Sequence, residues 1–355
     1  MPVDRRLRLL GSLVFTSIAL LTSGCGLAAG LLVGVITDAI DGDNDDGGDP
    51  TILLVGNADA SVDAIVRIEV ARVDGTHAPY GYDVDTAAGG AAALKNVFDA
   101  GPHWVRVVYA SGWRSRARSI DVVKDATVST SFLHGAPVIA PLAGTWFGAA
   151  QTSTGTSLTY AFTLDAAGNA SARTTDGVVD AATGTLAETS EGVYRVSWSG
   201  ATVAALVTDE AHGHAGLVTD DGTVGALQKG AVAPLPVGTD ADVVGTWVGT
   251  QVRLVGAPLA PADLDAASAT VSGQQHWVGS DGDGDGTIGV SPLTVTAPAF
   301  LWFEADAEDD APVPAALAIG MCLTADRAFG FVVLAPAAGG TFPDAGAFQL
   351  LEKSP

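Results

Sequence analysis

The residues of this chain that could do chemistry are few, and most of them are acids. Asp281-Gly-Asp-Gly-Asp-Gly-Thr-Ile-Gly289 sets carboxylates at alternate positions among glycines that permit a sharp turn. Three carboxylates so placed supply the hard oxygen donors that Ca²⁺ prefers, while the same spacing in a solvated hairpin tip needs no ion. His212-Gly-His214 follows Asp209 and Glu210, and on a strand it puts both imidazoles on one face. Such a pair holds Zn²⁺ when a carboxylate joins it, and otherwise serves as plain polar surface. Arg114, Arg116 and Arg118 also alternate, so one strand face would offer three guanidinium groups. Lipid phosphates, a polyanion or an acidic neighbouring domain could meet them, or they could guard a solvated edge strand. The chain has only two thiols, Cys25 and Cys322, and the second lies in the apolar run 317–323, where a buried inert side chain is expected.

The Asp281 turn resembles the first half of the calcium-binding loop of EF-hand proteins. The resemblance implies side-chain ligation by Asp281, Asp283 and Asp285 and carbonyl ligation by Thr287. The sequence departs from that loop at its twelfth position, where Pro292 stands in place of a bidentate glutamate, and the flanks read as strands rather than helices.

The amino-terminal residues carry a different signal. Arg5, Arg6 and Arg8 precede an apolar stretch, residues 9–21, and then Thr22-Ser-Gly-Cys25. A basic start, a short apolar core and small residues before a cleavage point describe a secretory signal peptide, and the apolar stretch is too short to span ~30 Å of hydrocarbon, whereas read on through Cys25 to Ile36 it is long enough for an uncleaved membrane helix. Leu21-Thr-Ser-Gly-Cys25 resembles the lipobox of bacterial lipoproteins, with Thr22 where leucine is commonest. The resemblance implies cleavage before Cys25 and a diacylglycerol on its thiol, which leaves Cys322 without a disulfide partner. Gly26 follows instead of the aspartate that retains such proteins in the inner membrane, so the resemblance implies the outer membrane. Residues 26–36 carry Gly26, Gly30 and Gly34 on one helical face, a close-packing segment or an apolar spacer, and residues 38–50 are an acidic, glycine-rich tether.

Forty acidic residues against 17 basic ones give a net charge of −23, which repels phosphate backbones and excludes a nucleic-acid partner. The imbalance is uneven: residues 51–135 hold 8 basic and 9 acidic residues, and residues 136–355 hold 6 and 24. That shift predicts a domain boundary near Gly135.

Beyond the tether the chain reads as all-β. In residues 51–135, Val66, Ile68 and Val70 share one face of a strand while Arg67 and Glu69 share the other, and residues 104–109, 119–123 and 127–132 are further strands. The Gly101-Pro-His-Trp104 turn and the alternating valines after it resemble the small prealbumin-like or carboxypeptidase-regulatory sandwiches of secreted proteins. Residues 136–236 and 237–355 read as one module written twice. Gly144-Thr-Trp146 returns as Gly245-Thr-Trp247, residues 192–198 parallel 299–304, residues 215–219 parallel 329–333, and residues 225–228 parallel 346–350. Gly-x-Trp at the start of an all-β module resembles the opening strand of lipocalins, which implies a tryptophan plugging the closed end of a barrel. Closed barrels and half-open sandwiches both fit, and a helix is expected over residues 261–268.

The predicted architecture is therefore a signal peptide (1–24), a lipidated tether (25–50), a β-sandwich (51–135) and two tandem barrel-like modules (136–236, 237–355). No nucleophile elbow, zinc-protease helix, phosphate loop or dinucleotide fingerprint occurs, so no enzyme and no cofactor beyond a possible Ca²⁺ is expected. The tryptophans fall in strand patterns and read as core. The expected function is non-enzymatic binding or scaffolding in the cell envelope, with the membrane as a partner through the lipid. A lipocalin-like carrier of an apolar ligand and a calcium-stabilised adhesion protein are the alternatives.

Overall fold

The computed structural model describes residues 51–354 except 60–62, 75–78, 96–98, 136–138, 153–156, 200–202, 210–212, 220–222, 231–243, 256–259, 262–263, 273–275, 281–287, 296–300, 307–316, 324–328 and 337–346. Cys25 and the Asp281, Asp283, Asp285 and Thr287 positions thus lie outside the described residues, as does His212. The architecture is all-β, and no described helix is long and apolar enough to cross a membrane.

Seven strands build a sandwich. β1 (Ile52–Asn57) lies between β4 (Ala91–Lys95) and β7 (Thr127–Phe132), pairing parallel to β7. The second sheet runs β3 (Tyr80–Thr86), β2 (Ile65–Arg72), β5 (Gly101–Tyr109), β6 (Arg118–Val122). Leu53, Val55, Ile68, Val107, Tyr109 and Phe132 fill the space between the sheets. The expected inner face of β2 is shifted at one position. A register irregularity between Ile65 and Arg67 turns Ile65 inward in place of Val66, because a bulge inserts a residue and breaks the period of two.

The next nine strands are β8 (Gly144–Gln151), β9 (Ser157–Leu164), β10 (Asn169–Thr175), β11 (Val178–Asp180), β12 (Gly184–Ser190), β13 (Val193–Trp198), β14 (Val203–Asp209), β15 (His214–Thr219) and β16 (Val224–Lys229). β16 pairs back onto β8 and β9 onto β10, which closes an eight-stranded antiparallel ring with β11 hanging from β10. Closure removes the sheet edges that an open sandwich would expose.

A second ring follows: β17 (Gly245–Val255), β18 (Ala260–Pro261), β19 (Asp265–Ser272), β20 (His276–Ser280), β21 (Ile288–Val295), β22 (Leu301–Asp306), β23 (Leu317–Leu323), β24 (Phe329–Pro336) and β25 (Ala347–Lys353). β17 pairs with both β19 and β25, closing eight strands, while β18 extends β17 alone. The helix expected over residues 261–268 is absent from the described part of that segment, which is strand. Leu264 and Ala266 are buried two residues apart, a strand period, and the sheet at β17 claims the backbone from Asp265 onward.

The two rings open in the same way. Trp146 and Trp247 are fully buried, and directly across the sheet from them stand Lys229 and Lys353. Gly144 and Gly245 hold φ near +140°, where a Cβ would press on the lysine stems, so a side chain is excluded twice over. This register corrects the sequence alignment of the last strand: Gln228 corresponds to Glu352, not Gln349. The other paired motifs occupy the first, fifth and seventh strands of each ring.

Candidate functional site

The lumen of the first ring is the obvious place for a ligand, and its described inward side chains pack into one apolar core. Inward residues alternate along the strands, as in any barrel, and the large ones are Trp146, Tyr160, Phe162, Tyr194, Trp198 and Leu206. Phe162 and Trp198 meet edge-to-face at 5.8 Å, and Arg173 lies over Trp198. Below them a 3₁₀ turn, Ala140–Leu142, closes the end, with Trp146 Nε1 donating to the Leu142 carbonyl at 2.9 Å and the Lys229 ammonium donating to Pro141. Trp146 therefore plugs this ring.

Outer faces that a free barrel would leave in water are also covered. β15 is buried at all six positions, with β23 and β24 of the second ring beside β15 and β16. The outer face of β2 and β5 carries Glu69 and Arg106, both almost fully buried, joined through Arg106 Nε at 2.7 Å and through its terminal nitrogen. Ala71 and Trp104 of the sandwich pack there on Leu264 and Ala266 of the second ring.

The three arginines resolve differently from one another. Residues 114–117 form an irregular segment rather than a strand, because Val107 and Tyr109 engage Ser115 and Trp113 across a tight turn. The Arg114 carbonyl accepts from Glu191 N–H, the Arg116 N–H donates to the Glu191 carboxylate at 2.9 Å, and the Arg116 guanidinium donates to the Thr208 carbonyl. It passes over Gly192, where a Cβ would collide with it. Arg118 turns back on the sandwich, stacking on Phe132 and donating to the Ser131 carbonyl. The acidic neighbour is thus the partner of the 114–116 segment. A cavity of ≈ 180 Å³ lies where the three units meet, between Arg106, Arg114, Glu191, Thr208, Val252 and Leu350.

A second polar cluster sits at the sandwich end where β1, β5 and β7 finish and β2 begins. Asn57, at 1% exposure, ties the loops together. Its amide donates to the carbonyls of Asp63, Thr86 and Ala87 at 3.1–3.2 Å, and its oxygen accepts the Asp59 N–H at 3.1 Å. Asp63 accepts the Ser111 hydroxyl at 2.8 Å and its N–H at 3.2 Å, and pairs with His134 Nδ1 at 2.9 Å. Ligand-type atoms of Asp59, Asp63 and His134 all lie within 4.8 Å of one another. The His134 ring stacks on Trp113 at 4.3 Å. Burial pushes the Asp63 carboxyl up, but hydrogen bonds from Ser111 and His134 outweigh it and hold the group below the usual carboxylate value. Burial, then the charges of Asp59 and Asp63, push the Tyr109 phenol well up, so it stays protonated.

Ser111, Asp63 and His134 do not make a base-activated nucleophile, since the carboxylate and not the imidazole takes the serine hydroxyl. Their chemistry is that of hydrogen bonding and ligation. Sequence reasoning missed this cluster because His134 is 71 residues from Asp63 and no local period links them. His214, singled out with His212, is fully buried in β15 rather than presented on a hairpin surface. The strands flanking the Asp281 turn, β20 and β21, are antiparallel neighbours.

No known protein family and no curated protein matches the chain. Among solved structures, it is similar to a protein of unknown function of the DUF3598 family from Nostoc punctiforme, with 11% identity and a TM-score of 0.31 over 61% of this chain and 98% of that one. It is also similar to a mutant of the vaccine antigen transferrin binding protein B from Haemophilus parasuis, with 9% identity and a TM-score of 0.31 over 86% of this chain and 79% of that one.

Proposed function

We propose that the chain is an exported lipoprotein, cut before Cys25 and acylated on its thiol, that presents a rigid non-enzymatic binding surface in the cell envelope. In this reading a sandwich (51–135) and two copies of one barrel module (136–236 and 237–355) stand off the outer membrane on an acidic tether. The shared Gly-x-Trp and lysine register of the two rings supports the duplication.

The observation that carries the reading is the filled first ring. Five aromatic side chains occupy the lumen where a carrier would keep room for cargo, so its likeness to a lipocalin serves packing rather than transport. Recognition then falls to the outer surface and to the junction of the three units. An EF-hand-like ion at Asp281, Asp283, Asp285 and Thr287 remains part of the proposal, as a stabiliser of that surface.

Native mass spectrometry of protein extracted from its own membranes tests this. The expected mass is that of residues 25–355 plus acyl groups, with no apolar small molecule retained. A chain that keeps residues 1–24 without acyl groups, or one that carries an apolar ligand in its first ring, overturns it. A melting temperature that rises in millimolar Ca²⁺, and does not rise in Asp283→Asn, supports the ion.

A further inference from the structure

We propose that Asp59, Asp63 and His134 form a binding site for a first-row divalent transition metal at the end of the sandwich where β1, β5 and β7 finish. The donor set is one imidazole and two carboxylates, supplied by the loop after β1, the residues just before β2 and the residues after β7, with the donor atoms within 4.8 Å of one another. An imidazole nitrogen among oxygens favours zinc-like ions over Ca²⁺, which takes oxygen ligands.

The site is built before any ion enters. Asn57 fixes the main chain of Asp59 and Asp63 at once, and Ser111 orients the Asp63 carboxylate. Stacking on Trp113 sets the plane of the His134 ring. These are the outer contacts that orient metal ligands in known centres. Asp63 Oδ2 and His134 Nδ1 stand 2.9 Å apart as a hydrogen-bonded pair, which tetrahedral ligation at ~2.1 Å would open to about 3.4 Å.

Two further observations point to a cation. Asp59 is 4% exposed and shares the site with a second carboxylate, so oxygen donors are gathered where little water reaches them. The Tyr109 side chain is fully buried beside them. Its hydroxyl approaches the main chain of His134 without making a well-formed hydrogen bond. Three protein ligands leave the remaining coordination positions to water or to a group from outside. An ion that takes Asp63 and His134 as ligands stands in place of the hydrogen bond between them. This site does not depend on the lipoprotein reading.

The test uses the full-length chain in detergent, stripped with EDTA and titrated with ZnCl₂ in a calorimeter near neutral pH. One zinc per chain is expected. His134→Gln and Asp59→Asn should each weaken it by about tenfold or more. Equal affinity in wild type and His134→Gln, or binding lost only when His212 is replaced, overturns the proposal. Should those variants fail to fold, modification of His134 by diethyl pyrocarbonate in the wild type decides the matter. Slower modification at saturating zinc supports the site, and an unchanged rate overturns it.

Discussion

The sandwich and the first ring are filled by the same rule of alternating side chains, yet they treat charge in opposite ways. The sandwich buries Asp59, Glu69 and Arg106, along with Asn57 and His103. The ring, among its described side chains, buries serine, threonine and one histidine but no carboxylate, lysine or arginine. A closed ring has a small, apolar interior and no edges, so every lumen position goes to packing. A sandwich has open ends and a second outer face. Its ends gather loops from distant strands, and its outer face is available to be covered by a neighbour. Among the described residues, buried charge therefore marks places where chain segments or whole units meet, and not the interior of the first ring.

Six substitutions would break or sharpen that contrast. The largest effect belongs to the ring: Trp146→Ala removes the plug and its bond to Leu142, and should cost ~4 kcal/mol in urea unfolding. In the sandwich, Arg106→Met leaves Glu69 buried beside only Arg67, whose Nε lies 3.6 Å away, and should cost ~3 kcal/mol. Adding Glu69→Leu should recover most of that loss, because two apolar side chains suit a covered face better than one unpaired charge. If the double variant is no better than the single one, the pair is not the reason for the cost.

Gly144→Ala comes next. It forces φ near +140° on an L-residue and presses on Lys229, so a loss of ~1–3 kcal/mol is expected, and Gly245→Ala should behave alike. Unequal effects would separate two rings that share this register. The smallest effect concerns pH. Burial holds the His103 imidazole below its usual value, against the Gly101 carbonyl that raises it. A histidine depressed in the folded state stabilises fully above its unfolded value of 6.5, and that contribution is lost as pH falls below it. His103→Gln should flatten the fall in melting temperature below about pH 6.5. A profile as steep as wild type would place the acid sensitivity elsewhere.

Much of the fold was legible because it is written locally. Strands such as β7 follow from alternation and from the glycines and aspartates that bound them, as when Asp165 ties its own turn by accepting from the N–H groups of Ala167 and Asn169. Trp146 as a barrel plug was legible too, since Gly-x-Trp is a contiguous motif. The bulge at Ile65–Arg67 was not, because a bulge is decided by the partner strand. The expected helix over 261–268 failed for a related reason: alanine favours helix in isolation, but pairing with β17 outweighed the propensity.

The polar sites divide along the same line. The sequence alone determined an all-β chain with glycine-marked turns, because both rest on neighbours within a few residues. Only the tertiary structure decided that the rings close, that Glu69 and Arg106 pair while Ala71 packs on Leu264, and that Asp59, Asp63 and His134 converge. Those outcomes depend on which strands meet across long loops. The energy of such meetings comes from buried surface and paired charge, and neither leaves a period in the sequence.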